Sequence, residues 1–172
     1  MNKTFRGLAA LSFLCAVATP ATAQQVGVTG AKPTASVTVQ KPIQLAGVRN
    51  LVFGTVLLGT FTGTDTVSVT PSGRTCGTTG GLTCSGTFST AQYRVTGTNN
   101  QVALISSVTP TVTMTNGTGG TLVLTPSFPS STTIDNSGNP GKIFEVGGSL
   151  AFTATQADGV YTGTLDIQVA YQ

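Results

Sequence analysis

Of the three cysteines in this sequence, Cys76 and Cys84 stand eight residues apart; beside them are five carboxylates and no histidine. In an oxidising compartment a close cysteine pair is most simply a disulfide. It would close a Gly/Thr-rich loop, and the chain-entropy estimate for so short a loop is about 2–3 kcal/mol. A zinc site is the sharper reading, but two thiols without histidine or a second cysteine pair cannot complete a tetrahedral shell. General acid–base catalysis needs a titratable group held where it can exchange protons. Asp65, Asp135, Glu145, Asp158 and Asp166 could in principle supply a glycosidase pair. However, Asp65, Asp135 and Asp158 fall in turn-like sequence, and alternation points Asp166 outward. The expectation is a non-enzymatic protein without metal or cofactor. Asp135-Asn136-Ser137-Gly138-Asn139 has oxygens at alternating positions, as a calcium loop does, but lacks the later Glu that completes such a shell. An Asx-type turn before Pro140-Gly141 is expected instead.

The start of the chain is expected to be a secretory signal peptide over residues 1–23. Lys3 and Arg6 form its basic start, Leu8 to Val17 its apolar stretch, and Ala21-Thr22-Ala23 its small-residue cleavage site. That apolar run is far shorter than the roughly 20 residues needed to span a bilayer. Cys15 follows Ser12-Phe13-Leu14, a bulky Leu where a lipobox wants a small residue, so lipidation is not expected. Removal of the leader leaves a chain of single-domain size with no integral membrane segment. It carries Lys32, Lys41, Arg49, Arg74, Arg94 and Lys142 against the five acids. These cations are scattered, which argues against nucleic acid as a partner.

The elements that would position these groups are strands. The chain is rich in Thr, Val, Gly and Ser, only 8% charged, and free of Trp, which is β composition. Apolar residues alternate at Val37/Val39, Val67/Val69, Tyr93/Val95 beyond Phe88, Val108/Val112/Met114, Leu122/Leu124, Leu150/Phe152 and Leu165/Ile167/Val169/Tyr171. No helical stripe occurs. Gly, Pro and Asn clusters separate the segments, and Asn116-Gly117 between two of them predicts a hairpin. Short strands at this spacing imply a sandwich or a barrel.

The cleanest alternation runs from Gly159 to Gln172, with Tyr161, Leu165, Ile167, Val169 and Tyr171 on one face. A strand that carries its apolar face to the end of the chain is expected to pair with something. Gly159 stands fourteenth from the C-terminus and Tyr171 second, and in this the segment resembles the last strand of chaperone-usher pilus subunits. More broadly, Pro42-Ile43-Gln44-Leu45, Asn50-Leu51-Val52-Phe53-Gly54, Tyr93-Arg94-Val95-Thr96-Gly97, Val146-Gly147-Gly148-Ser149-Leu150 and Gly159-Val160-Tyr161-Thr162-Gly163 resemble the successive blocks of the Gram-negative domain-of-unknown-function family 4402. That family is similar to spore-coat-U-like and fimbrial subunits. The Cys76–Cys84 loop departs from the family pattern.

The resemblance implies an all-β, immunoglobulin-like antiparallel sandwich over residues 35–172 that lacks its final strand, leaving an apolar groove beside the C-terminal strand. The partners it implies are a periplasmic chaperone, an outer-membrane usher, and identical or related subunits. The chaperone first fills the groove, and the N-terminal extension of the next subunit replaces it by β-strand addition. The protein would pass through the periplasm to a fibre on the cell surface. Residues 24–34 are the candidate donor, with Val26, Val28 and Gly30 on one face before Pro33. Ala35, Val37 and Val39 form a second candidate, expected rather to belong to the domain's own first strand. Two other readings stay open: a free-standing secreted or cell-surface binding module for carbohydrate or protein, and a small outer-membrane barrel. The absence of Trp and the 6% aromatic content speak against both.

Overall fold

The computed structural model describes residues 23–172. The expected leader, Cys15 included, therefore lies outside the described residues except for Ala23. The chain forms two units that divide between Val37 and Thr38. The described part of the first holds no helix or strand, and its side chains are exposed.

The second unit contains twelve strands: β1 (Gln44–Arg49), β2 (Thr55–Leu58), β3 (Thr64–Thr70), β4 (Gly73–Cys76), β5 (Leu82–Ser85), β6 (Ala91–Thr96), β7 (Val102–Ser107), β8 (Val112–Thr115), β9 (Thr121–Ser127), β10 (Ser131–Thr133), β11 (Lys142–Thr153) and β12 (Ile167–Tyr171). The all-β expectation holds, and every strand pair is antiparallel. The largest sheet has seven strands in the order β1-β6-β11-β3-β4, with β9 on β11 and β8 on β9. β11 is its spine. Lys142 to Val146 pair with β6, and from Gly147–Gly148 onward the strand pairs with β9 and β3 instead. A second sheet has the order β10-β7-β12, and β2 with β5 forms a two-stranded ribbon.

Alternation sets which face is buried. Val67 and Val69 of β3, Leu122 and Leu124 of β9, and Leu150 and Phe152 of β11 meet in one core cluster with Phe53 and Leu82. Val95, Ile105, Ile134, Phe144, Val146 and Ile167 form a second. Leu51 and Leu165 pack against both clusters and join them. Each fully buried aliphatic side chain contributes about 1.5–3 kcal/mol, so these faces hold the layers together. The Asn116-Gly117 hairpin forms as expected between β8 and β9, with Asn116 Oδ1 accepting from the amides of Thr118 and Gly120.

Four expectations differ from the structure. Val37 and Val39 do not enter a first strand; β1 opens at Gln44, and both valines are more than four-fifths exposed. Phe88 and Val108 lie outside the strands and are exposed. Asp65, expected in a turn, is in β3 and only 1% exposed. The alternation from Gly159 to Gln172 yields a ladder only over Ile167–Tyr171, with one further bridge from Thr162 to Thr115. The earlier half diverges because β7 ends at Ser107 and the chain passes instead to β8, which it meets in a single bridge at Thr115.

Candidate functional site

The C-terminal segment carries the face read from its sequence. Ile167 is buried, Tyr161, Leu165, Val169 and Tyr171 are half-buried, and the residues between them are exposed. β12 pairs with β7 alone and is an edge strand; β2 pairs with β5 alone. An unpaired edge offers a row of free N–H and C=O groups to any strand that comes beside it. Between the run 51–58 and the run 156–161 lies a cavity of about 720 Å³. Its floor is apolar: Phe53, Leu122, Leu150 and Phe152 reach it from the first core cluster. Leu57 and Val160 stand on its rim, 68% and 81% exposed. Asp158 is the only charged side chain among its lining residues.

The wall made by β2 is held by three devices. The disulfide Cys76–Cys84 forms as expected, with Cα atoms 5.8 Å apart. It joins β4, which belongs to the large sheet, to β5, the partner of β2. The guanidinium of Arg74 donates through Nη1 to the carbonyls of Phe53 at 2.9 Å and Ser85 at 3.0 Å, and lies over the Phe88 ring. Buried Asp65 accepts from the amides of Thr66, Thr78 and Thr79 and from the hydroxyls of Thr78 and Thr79. Those bonds, led by the Thr78 amide and then the Thr79 hydroxyl, hold its carboxyl well below the usual carboxylate range. They fix the loop that the disulfide closes. Sequence reasoning missed Arg74 and Asp65 in these roles. Most of their polar partners, backbone groups and two threonine hydroxyls, are brought near only by the fold.

The markers at the two ends of the terminal segment have distinct structural causes. Gly159 has φ +131°, a conformation that side chains rarely adopt, and the Asn116 side chain lies 3.1 Å from where its Cβ would stand. Asn116 Nδ2 in turn donates to the Asp158 carbonyl at 2.9 Å, tying this turn to the β8–β9 hairpin. At the other end, the Tyr171 hydroxyl donates to the Lys41 carbonyl and accepts from the Thr98 amide, both at 2.6 Å. Gly97 leaves the space for it, since a Cβ there would meet that hydroxyl. In the middle, Tyr93 stacks on Phe144 and its hydroxyl donates to the Leu165 carbonyl at 3.2 Å.

The remaining expected residues lie elsewhere. Val26, Val28 and Gly30 are exposed, with a bend at Gly30. Asn136 Oδ1 accepts from the Gly138 amide, the Asx turn expected there, and Asp135 pairs with Lys142 at 2.7 Å. A smaller cavity of about 350 Å³ sits between the β1–β6 face and residues 137–139; Arg94 lines it, and its Nε is buried without a hydrogen-bond partner. Among the described residues no helix is long and apolar enough to cross a membrane.

No curated protein and no solved structure matches the chain. The family described as Domain of unknown function (DUF4402) does, over residues 43–171, a span that opens at Ile43 and takes in all twelve strands and the groove. The family expected from the sequence blocks is thus the one found, and the chain belongs to DUF4402.

Proposed function

We propose that this protein is a structural subunit of a chaperone-usher-type surface fibre, joined to its neighbours by β-strand addition. The observation that carries the reading is the open apolar groove between the free edge of β2 and the irregular run 156–161 that precedes β12. The rim of that groove leaves Val52, Leu57 and Val160 to water above a buried apolar floor, and one strand laid into it would cover them and pair the free edge of β2. In this reading a periplasmic chaperone occupies the groove first, an outer-membrane usher exchanges it for a subunit, and export precedes both. No catalytic role is proposed for the five carboxylates.

The test is the state of the mature protein in the periplasm. With a co-expressed chaperone it should be captured as a one-to-one complex, and without one it should polymerise or be degraded. A stable monomer that neither associates nor binds the chaperone sinks the reading. Lysine at both rim positions, Leu57→Lys and Val160→Lys, should abolish polymer while leaving the fold intact, because both side chains already face water.

A second reading, a cell-surface binding module, is favoured by the cavity that Arg94 lines, where a guanidinium suits an anionic group. Titration with acidic sugars, repeated on Arg94→Gln, tests it. The outer-membrane barrel is not favoured. Such a barrel turns its apolar faces outward to lipid, whereas here they turn inward to two cores.

A further inference from the structure

We infer that the strand which fills the groove is Thr34–Gln40 of a second copy of this chain, not the more N-terminal Val26–Gly30 run. The inference rests on the strand-addition reading of the groove and names its partner. Both runs lie outside the strands, so the choice between them turns on which can form a ladder and what it would bury.

Thr34-Ala35-Ser36-Val37-Thr38-Val39-Gln40 lies between Pro33 and Pro42, the two residues here that cannot donate to a ladder. Within it every residue keeps its N–H, Val and Thr favour extended backbone, and Ala35, Val37 and Val39 share one face. Val37 is 86% and Val39 82% exposed. The upstream run is a poorer strand. Gly27 and Gly30 weaken it, and Gly30 takes φ +108° at a bend, outside the β region.

Size and charge agree. Seven residues of strand extend about 23 Å, and the wall from Leu51 to Leu58 spans at most about 26 Å. The segment carries no charge, and the groove it would enter is lined mostly by apolar side chains, with Asp158 its one charged residue.

The partner is a second copy because the segment runs directly into an anchor. Lys41 is pinned to its own domain: its amide donates to Thr98 Oγ1 and its carbonyl accepts from Tyr171. That anchor stands at the far end of the terminal segment from the groove, which borders residues 156–161. The residue that follows Gln40 is therefore fixed away from the groove of its own domain. No residue would then separate the donor strand seated in one subunit, which ends at Gln40, from the Lys41 anchor in the next, so the fibre should be a stiff rod. A donor at Val26–Gly30 would leave ten residues, 31–40, between them and give flexible beads.

The experiment places a photoreactive benzophenone amino acid at Val160 in the full chain, assembled from a mixture of isotope-labelled and unlabelled protein. Cross-links from position 160 of one copy to residues 34–40 of another support the inference, as do straight rods in electron micrographs. Cross-links to residues 24–31 overturn it while leaving strand addition standing. Cross-links within one copy only, or no polymer at all, overturn both. In parallel, Val37→Asp with Val39→Asp should reduce polymer about tenfold or more, since a charge would replace buried apolar surface at each site. Val26→Asp with Val28→Asp should leave polymer unchanged. All four valines are exposed in the monomer, so both variants keep the fold; equal polymer loss in the two would also reject the inference.

Discussion

The hydroxyl of Tyr171 donates a hydrogen bond to the carbonyl of Lys41, 130 residues earlier in the chain, at 2.6 Å. One phenol thus closes the domain, joining the entry of its first strand, the Gly97–Thr98 turn and the end of its last strand. The penultimate aromatic expected to serve assembly is also an internal clasp.

Tyr171→Phe keeps the ring and removes only the clasp. It strips a partner from both the Thr98 amide and the Lys41 carbonyl, which should lower stability by about 1–2 kcal/mol. Urea denaturation measures this directly. An unchanged midpoint would show that water replaces the hydroxyl at no cost.

Opening the Cys76–Cys84 disulfide should release the β2 wall. Cys76→Ser with Cys84→Ser is expected to cost about 2–3 kcal/mol in global stability. It should also speed amide hydrogen exchange in β2 and β5 more than in β6 or β9, because the disulfide joins the ribbon to the large sheet. Uniform loss of protection across all strands would deny the disulfide this local role.

Asp65 makes stability depend on acid. Its folded carboxyl titrates below its ordinary value of 3.8, so the native state favours the charged form. The stabilisation is complete above the unfolded value and is lost as pH falls from about 4 toward the lower folded one. Thermal midpoints should therefore drop steeply below about pH 4, and Asp65→Asn should flatten that drop while lowering the midpoint at pH 7. Asp135 is also lowered from its ordinary value, by its bond to Lys142, so some loss of stability in acid should survive. A wild-type slope in Asp65→Asn would remove Asp65 from this account.

Gly159→Ala tests a backbone rather than a contact. At φ +131° any β-carbon is strained, at a cost of about 1–3 kcal/mol, and the Asn116 side chain must move. The variant should lose stability as an isolated subunit as well as in assembly. Native-like stability with lost assembly would instead assign Gly159 to the docking strand alone.

The amino-acid sequence by itself determined the all-β class, most strand positions, the inward face of the terminal segment, the disulfide and the family. Each follows from local information: a period of two, turn residues, a close cysteine pair or a motif block. Only the tertiary structure decided where partners run out. Alternation says which face is buried but not whether a neighbouring strand exists, so Gly159–Gln172 reads as one strand although it pairs regularly only over Ile167–Tyr171. The same limit misplaced Val37 and Val39, whose pattern is that of a first strand but which find no partner in their own domain. Asp65 and Arg74 were invisible as builders of the groove wall, because most of their partners, backbone groups and the Thr78 and Thr79 hydroxyls, are brought near only by the fold.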